Sequence, residues 1–387
     1  MNDSRSTREL QEEFFVTDQA RLRRWLPWLL MFSSFRIALH YRRMAVALLF
    51  VWSTVGLGML LQRTTGAART PLHADRVIRT DVVPFTEFVH EPWASLTQAG
   101  QGTAVLLPMK LAFEKTRLLL SSSGRHWPLL LEWFGLFVLM IMAGSLLTRM
   151  VALQVTRHEE CSFGAAWGYF WRHVTAYFGG LLTVILGLLV FATGNAVFGV
   201  ICRIPAVGPY ILAVGWLLAL VVGLLMAIML VGLAVCWPLM ICTTSVEGTD
   251  PFDGLSRSYN YLFVRPWYAL FLLLVLLLYG AVLHYFVTGM ANLVWQVTLW
   301  TVGQGIELRS AQLSQLFVWK HLLGSIPAAF AVSYFWTSMT IGYLLLRKSE
   351  DATPLDVVDR EAATGEELPL VGIPAAQRRE QTSGESK

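Results

Sequence analysis

The chain has 387 residues, of which 55% are hydrophobic and only 14% are charged. Globular proteins average about 25% charged residues, so the deficit indicates several apolar runs that span a bilayer. The net charge of +4 is small, which argues against a nucleic-acid partner. We therefore expect an all-α, polytopic integral membrane protein that is surrounded by lipid bilayer.

Six apolar runs approach or exceed the roughly 20 residues that a bilayer requires. They are numbered here as spans one to six in chain order. Their predicted bounds are 44–61, 127–148, 174–200, 210–240, 267–288 and 322–346. The turn at 203–209 is short, so spans three and four should form an antiparallel hairpin. Gly180, Gly187 and Gly194 share one face of span three and permit close helix packing in lipid.

The segments between the spans are polar or amphipathic. Residues 104–120 carry a stripe of four charges, whose insertion costs more than their apolar neighbours return. We predict an amphipathic helix there, on the surface or against the bundle, and leave partial insertion open. The full set of predicted segments is an N-terminal tail with an interfacial helix (1–43), a long loop with an amphipathic helix (63–126), two interfacial helices (149–173 and 247–265), an amphipathic return (290–321) and a disordered tail (349–387).

The segment 247–265 has the clearest local signals. Asp250 is a candidate helix cap, and Pro251 suits the first helical position. Asp253 and Arg257 are four residues apart and should pair on one helix face. Pro266 should end this helix before span five begins. Ser162 opens a similar aromatic helix before span three, and residues 34–43 form a fainter copy, so an internal repeat is plausible.

Basic residues set the predicted orientation. One group of connecting segments carries most of them, whereas the short opposite loops offer Arg203, Arg309 and Lys320. Loops longer than about 60 residues count little for this rule. We therefore predict a cytoplasmic (inner) membrane protein with both termini in the cytoplasm. The basic residues on that side are Arg36, Arg42, Arg43, Arg149, Arg157, Arg172, Arg257, Arg265, Arg347 and Lys348.

The sequence offers no complete catalytic or metal motif. Residues 158–162 begin like a zinc-protease motif, but Ser162 stands where the second histidine is required. Residues 254–258 begin like a nucleophile elbow and lack its closing glycine. The four cysteines show no paired spacing, so we interpret them as small apolar residues. No catalytic residue, cofactor or metal ion is predicted.

Polar residues inside spans are the better candidates for function, because lipid makes their burial costly. Glu132 is a candidate proton or cation site, although a snorkelling interfacial role is favoured. Asn195 is a candidate substrate contact, although a packing role with a bond across helices is favoured. His284 could titrate or bind a metal ion, although a hydrogen bond between helices is favoured. Arg203, Arg257 and Arg265 are candidate contacts for lipid phosphates, with positive-inside anchoring as the alternative for the last two.

The segment from Glu247 to Tyr259, followed by Arg265-Pro266-Trp267, resembles a repeat in poorly characterised prokaryotic membrane families. The membrane domain attached to some glycerophosphodiester phosphodiesterases is similar. The resemblance covers residues 163–346. It implies a helical membrane domain of about six spans with a membrane-organising or lipid-proximal role. It carries over no catalytic residue, and the long first loop departs from the pattern.

Two functions remain open from the sequence. Interfacial helices and packing glycines, without a catalytic constellation, favour a non-enzymatic structural component that binds other membrane proteins. The possible internal repeat and the three intramembrane polar residues instead suggest a small transporter or lipid-handling permease. An intramembrane enzyme would need two titratable groups that face each other, and the sequence identifies no such pair.

Overall fold

The computed structural model describes residues 26–65, 104–121, 127–205, 207–305, 316–355 and 357–359. These residues form helices and connecting turns, and none of them lies in a β-strand. The predicted all-α fold class is therefore confirmed. The first 25 residues, most of the predicted 63–126 loop and the predicted disordered tail from residue 360 onward lie outside the described residues.

Ten α-helices occur in the described parts of the chain, together with 3₁₀ turns at Pro27–Ser33 and Ala104–Leu106. The helices are α1 (Ser34–Ala38), α2 (Tyr41–Thr65), α3 (Leu107–Ser121), α4 (Trp127–Arg157), α5 (Phe163–Arg172), α6 (Val174–Ile201), α7 (Gly208–Glu247), α8 (Pro251–Val264), α9 (Pro266–Gly303) and α10 (Phe317–Asp351).

Six of these helices are long and apolar enough to cross a membrane, namely α2, α4, α6, α7, α9 and α10. The protein is therefore a multi-pass membrane protein, as predicted. Several helices extend well past the predicted span ends. Helix α4 continues to Arg157 and α9 continues to Gly303, so parts of the predicted 149–173 and 290–321 segments belong to spans. Both extensions lack an internal proline, and polar residues alone do not stop helical hydrogen bonding.

The predicted repeat of a short helix followed by a span occurs at all three places. Helices α1, α5 and α8 each directly precede a span, α2, α6 and α9 respectively. The Ser162 hydroxyl accepts a hydrogen bond of 3.2 Å from the Ala165 backbone N–H, so the predicted cap of α5 is confirmed. Helix α1 is held to α10 because the Ser333 hydroxyl donates to the Ala38 carbonyl oxygen at 2.8 Å.

The centre of the bundle is formed by α4 and α10, whose most apolar stretches are 72% and 94% buried. Small residues permit this close packing, since lipid provides no hydrophobic force between helices. Gly144 of α4 lies directly against the indole of Trp336 in α10. Trp336 also meets Trp237 of α7 edge to face, with 5.6 Å between ring centroids. The two indoles therefore join three spans.

Helices α6 and α7 form the predicted antiparallel hairpin. A Cβ at Gly187 of α6 would meet Met229 of α7. A Cβ at Gly215 of α7 would meet Phe198 of α6, so the end of α6 lies beside the start of α7. Residues 176–184 and 232–246 of the hairpin are packed against other helices, whereas the stretch between them has few buried residues. The most apolar stretches of α6 and α7 have mean hydropathies of 2.3 and 2.9, yet only 6% of each is buried. Most of the hairpin surface therefore faces the bilayer or a partner.

Helix α3 is the predicted amphipathic helix, and it lies against the bundle. The Trp133 indole N–H in α4 donates to the Thr116 hydroxyl in α3 at 2.9 Å. Leu107 and Leu111 are buried in the main apolar core together with α4. The apolar face of α3 is thus covered by protein, which explains how a helix with several charges is tolerated there.

We predict that Gly144→Ala destabilises the protein by about 1–3 kcal/mol, the usual cost of overpacking a core. An added Cβ would lie 2.6 Å from the Trp336 ring, and that ring is 1% exposed and cannot yield. Thermal unfolding of the purified protein in mild detergent measures the effect. Gly223→Ala is the matched control, because no atom lies within 4 Å of the added Cβ. Equal losses in both variants would contradict the packing argument.

Candidate functional site

The turn between α7 and α8 begins a cluster of polar residues at one end of the bundle. Gly248 ends α7 with a φ of 64° in the left-handed region, where a side chain would be strained. A Cβ there would also lie 2.4 Å from the Asp359 carboxylate. Pro251 occupies the first turn of α8 as predicted. The predicted cap by the Asp250 side chain is wrong, because that side chain makes no capping bond.

Glu247, the last residue of α7, is the centre of this cluster. One carboxylate oxygen accepts hydrogen bonds from the Tyr343 hydroxyl at 2.6 Å and from an Arg347 nitrogen at 3.3 Å. The other oxygen accepts from an Arg257 nitrogen at 2.6 Å. Tyr343 and Arg347 belong to α10, and Arg257 belongs to α8. One carboxylate therefore joins three helices, and we call these four residues the Glu247 clamp.

The clamp is buried on the α10 side and exposed on the α8 side. The Arg347 side chain is 2% exposed and Glu247 is 12% exposed, whereas Arg257 is 42% exposed. Arg347 also donates to the Val357 carbonyl oxygen at 2.7 Å. Burial makes this ion pair costly to break, because the remaining charge would lie in a low dielectric without a partner.

Arg257 was a candidate lipid-phosphate contact, and the structure gives it protein partners. Its Nε donates to Asp253 at 2.9 Å, which confirms the predicted pair on α8, and its Nη1 donates to Glu247. The hydrogen bond to Asp253, reinforced by the charge of Glu247, raises the pKa of the Arg257 guanidinium above its usual value. Tyr261 on the same helix donates to Asp351, and burial together with this bond raises its pKa.

A second group of polar residues adjoins the clamp and centres on Arg149. The Arg149 guanidinium is 5% exposed and donates to the Ser245 carbonyl oxygen at 2.9 Å and the Asp359 carbonyl oxygen at 3.1 Å. It also lies over the Tyr169 ring at 3.8 Å, in a cation–π contact. The Tyr169 hydroxyl donates to the Thr244 carbonyl oxygen at 2.9 Å. Carbonyl oxygens and a ring thus stabilise a buried cation.

Hydroxyl groups complete the contacts at this end. The Ser245 hydroxyl in α7 is hydrogen-bonded to Thr148 in α4 and, at 2.9 Å, to Tyr177 in α6. The Asp359 backbone N–H donates to the Val246 carbonyl oxygen at 2.8 Å, so the chain after α10 returns to the end of α7. These groups bind one another and backbone carbonyls, and the arrangement fixes four helices in place.

The sequence predicted none of these roles for Glu247, Arg149 or Arg347. Both arginines were interpreted only as orientation signals. A signal did exist, because each arginine directly continues an apolar helix instead of following a turn or proline. A cation in that position must either reach the interface or find partners. Here the end of α7 and the returning segment 357–359 supply those partners.

Glu132 is a partner in a buried ion pair. Its carboxylate accepts a hydrogen bond from the Lys115 ammonium of α3, and the two side chains are 18% and 8% exposed. The structure thus gives Glu132 a protein partner, and its position at the membrane interface stays a prediction. The charge stripe of α3 was recognised in the sequence, but its partner could not be, because α3 and α4 meet only in the folded bundle.

His284 lies within a buried polar stripe of α9. Its Nδ1 is 3.2 Å from the Thr288 hydroxyl one turn later, and Asn292 follows on the same face. All three side chains are at most 6% exposed. The favoured hydrogen bond between helices is thus replaced by one within α9. His284 and Glu132 have different partners, so the structure does not join them as an acid–base pair.

The remaining candidates are at the surface. Asn195 is half-exposed on α6, and Arg203 is exposed in the turn after α6. Neither makes a side-chain hydrogen bond or ion pair with the residues that the structure describes. Arg265 is 48% exposed, and its Nε donates to Glu350 at 2.9 Å. Within the described residues, no three His, Cys, Asp or Glu side chains are grouped closely enough to hold a metal ion.

The chain was compared with protein-family models, curated proteins and solved structures. No protein-family model, curated protein or solved structure matches the chain.

We predict that Glu247→Gln lowers the free energy of unfolding by about 3–5 kcal/mol, since it leaves the buried Arg347 charge without its carboxylate. Unfolding of the purified protein in mixed micelles, titrated with denaturing detergent, measures the change.

Asp253→Asn is the matched control for this variant. It removes the other carboxylate that binds Arg257, but that pair is exposed, so we expect a change of about 0.2–1 kcal/mol. If the two variants lost equal stability, burial of the clamp would not be the source of its strength.

Proposed function

We propose that the protein is a non-enzymatic component of the cytoplasmic membrane that binds other membrane proteins through the α6–α7 hairpin. The observation that carries the proposal is the exposure of two long apolar spans, since only 6% of the most apolar stretch of each is buried, whereas the corresponding stretch of α10 is 94% buried. A helix surrounded by its own bundle is already packed, whereas this hairpin has most of its surface free for another helix.

Asn195 gives this surface a specific point of contact. Its amide has no hydrogen-bond partner among the described residues, and it lies about 9 Å from the end of α6, at 1.5 Å per residue. Lipid cannot hydrogen-bond to an amide, so an unpaired amide in a span favours a polar partner on another helix. Gly199 follows one turn later on the same face, and no atom lies within 4 Å of its Cβ position. A second helix can approach closely at this point.

The clamp end explains how the hairpin is held. Ser245 and Glu247 at the end of α7 bind residues of α4, α8 and α10, while the opposite half of the hairpin extends away from these contacts. A hairpin that is fixed at the clamp end and exposed along its other half suits a protein that positions a partner. The resemblance to membrane domains of glycerophosphodiester phosphodiesterases supports the same membrane-organising role, which stays a proposal.

A photoreactive amino acid placed at Ala196, an exposed position beside Asn195, tests this function in intact membranes. We expect a discrete crosslinked product whose partner is identified by mass spectrometry. Combining the photoreactive residue with Asn195→Leu should reduce the yield of the crosslinked product. An interhelical Asn contributes about 1 kcal/mol, which corresponds to about a fivefold change in association. Gly199→Leu should abolish the close approach.

Gly223→Leu is the control, because Gly223 lies on α7, whereas Asn195 and Gly199 lie on α6, and its Cβ position is also open. It should leave the product unchanged. A product that is insensitive to Asn195→Leu and Gly199→Leu, or crosslinking to lipid alone, would overturn the proposed docking face. A second copy of the chain in the product would identify the partner as the protein itself.

We further propose that the clamp end faces the cytoplasm, with both termini on that side. The basic residues used for this prediction do meet at one end, where Arg157 approaches the Val358 carbonyl oxygen and Arg42 approaches Glu160. The clustering supports a common side, and the positive-inside rule assigns that side to the cytoplasm.

The native cysteines provide a test of orientation. Cys161, Cys236 and Cys242 are buried, whereas Cys202 is partly exposed in the turn at the opposite end. We predict that a membrane-impermeant maleimide added to intact cells labels the wild-type protein but not Cys202→Ser. Labelling that requires permeabilised membranes would place the hairpin turn in the cytoplasm and invert the proposed orientation.

A further inference from the structure

An apolar groove lies between α7, α9 and α10, close to the clamp end. Its volume is about 440 Å³, and Ser338 is the single polar side chain among the residues that line it. The groove starts near Pro266 and Leu346 and reaches Leu276. Ten residues of α9 separate the two ends, which corresponds to about 15 Å of helix.

The groove exists because α9 and α10 separate towards the clamp end. The two helices are in tight contact at Gly280, whose Cβ would lie 2.5 Å from the Tyr334 ring. The Tyr334 hydroxyl also donates to the Leu276 carbonyl oxygen at 3.0 Å. Two turns further along α10, Gly342 lines the groove, and no atom lies within 4 Å of its Cβ position. The gap therefore widens from a fixed contact point.

The groove is open to the side of the bundle. Trp267 and Leu270 line it and are 82% and 56% exposed. Both belong to a membrane span, so the opening faces the bilayer. Trp267 is the second residue of that span, the position at which tryptophan usually marks the membrane–water interface.

The opening towards the bilayer favours a lipid acyl chain as the occupant, because the chains of the surrounding lipid reach the groove directly. A single acyl chain is thin, flexible and free of groups that need hydrogen bonds. Walls with one hydroxyl suit such a chain, because an acyl chain brings no polar group that needs a hydrogen-bond partner.

The Arg265 guanidinium lies next to the end of the groove that begins at Pro266. Arg265 directly precedes Pro266, and its side chain is 48% exposed. Its Nε donates to Glu350, but its two terminal nitrogens have no partner among the described residues. Guanidinium nitrogens bind phosphate oxygens strongly, and the adjacent tryptophan places them at headgroup depth.

We propose that this groove binds a glycerophospholipid, with one acyl chain between α9 and α10 and the phosphate at Arg265. The site is distinct from the docking face around Asn195 and Gly199, because those two residues lie on α6 and α6 does not line the groove. Because the chain is already in lipid before it binds, the groove stabilises it only through better packing and the phosphate contact.

The test uses the full chain in nanodiscs that contain phosphatidylglycerol with a photoactivatable diazirine in one acyl chain. After irradiation, peptide mass spectrometry should locate adducts within residues 266–276 and 338–346. Gly342→Phe fills the groove without a clash at Cβ and should reduce these adducts by about tenfold, since several methylenes lose their site. Gly223→Phe, on the open face of α7, should change nothing.

Arg265→Gln separates the phosphate contact from the chain contact. It should lower groove labelling by the phosphatidylglycerol probe several-fold and leave labelling by a diazirine diacylglycerol, which lacks phosphate, unchanged. Ala269→Phe on the opposite wall is a second blocking variant if Gly342→Phe fails to elute as a single species in detergent. Labels spread evenly over all exposed spans, or groove labels that survive both blocking variants, would overturn the proposal. Equal effects of Arg265→Gln on both probes would overturn the phosphate assignment.

Discussion

The fold depends on how charge is stabilised at one end of an apolar bundle. Arg149 and Arg347 are both almost completely buried, and a buried cation without compensation would cost several kcal/mol. Glu247 compensates one, while carbonyl oxygens and the Tyr169 ring compensate the other. These partners come from α5, α7 and the segment after α10, so the charges can be satisfied only when those parts meet. The requirement specifies the arrangement more strictly than apolar packing alone.

The second main feature of the molecule is the difference in burial between this fixed end and the exposed hairpin. Near the clamp, α7 is buried among α4, α8 and α10, whereas Gly208 is the one buried residue in its first half. The same helix is thus part of the core at one end and of the membrane-facing surface at the other. Its forty residues exceed what a bilayer requires, and the extra length contains the Ser245–Glu247 contacts.

Local features could be predicted from the sequence, and contacts between distant residues could not. The six spans, the Ser162 cap and the Asp253–Arg257 pair depend on neighbours within a few residues, so periodicity and spacing reveal them. Glu247 binds residues 10, 96 and 100 positions away, which no local pattern encodes. Glu132 shows the same limit, because its ion pair with Lys115 depends on how α3 meets α4.

The strap formed by residues 357–359 has a consequence for biosynthesis. Asp359 bonds to Val246 and Arg149, and Val357 bonds to Arg347, so atoms made after the last span complete the charged cluster. During translation, α4 and α7 leave the ribosome long before this strap does. Arg149 therefore lacks one of its carbonyl partners until residue 359 has been synthesised. Assembly of the clamp end must follow the emergence of α10 and of the segment after it.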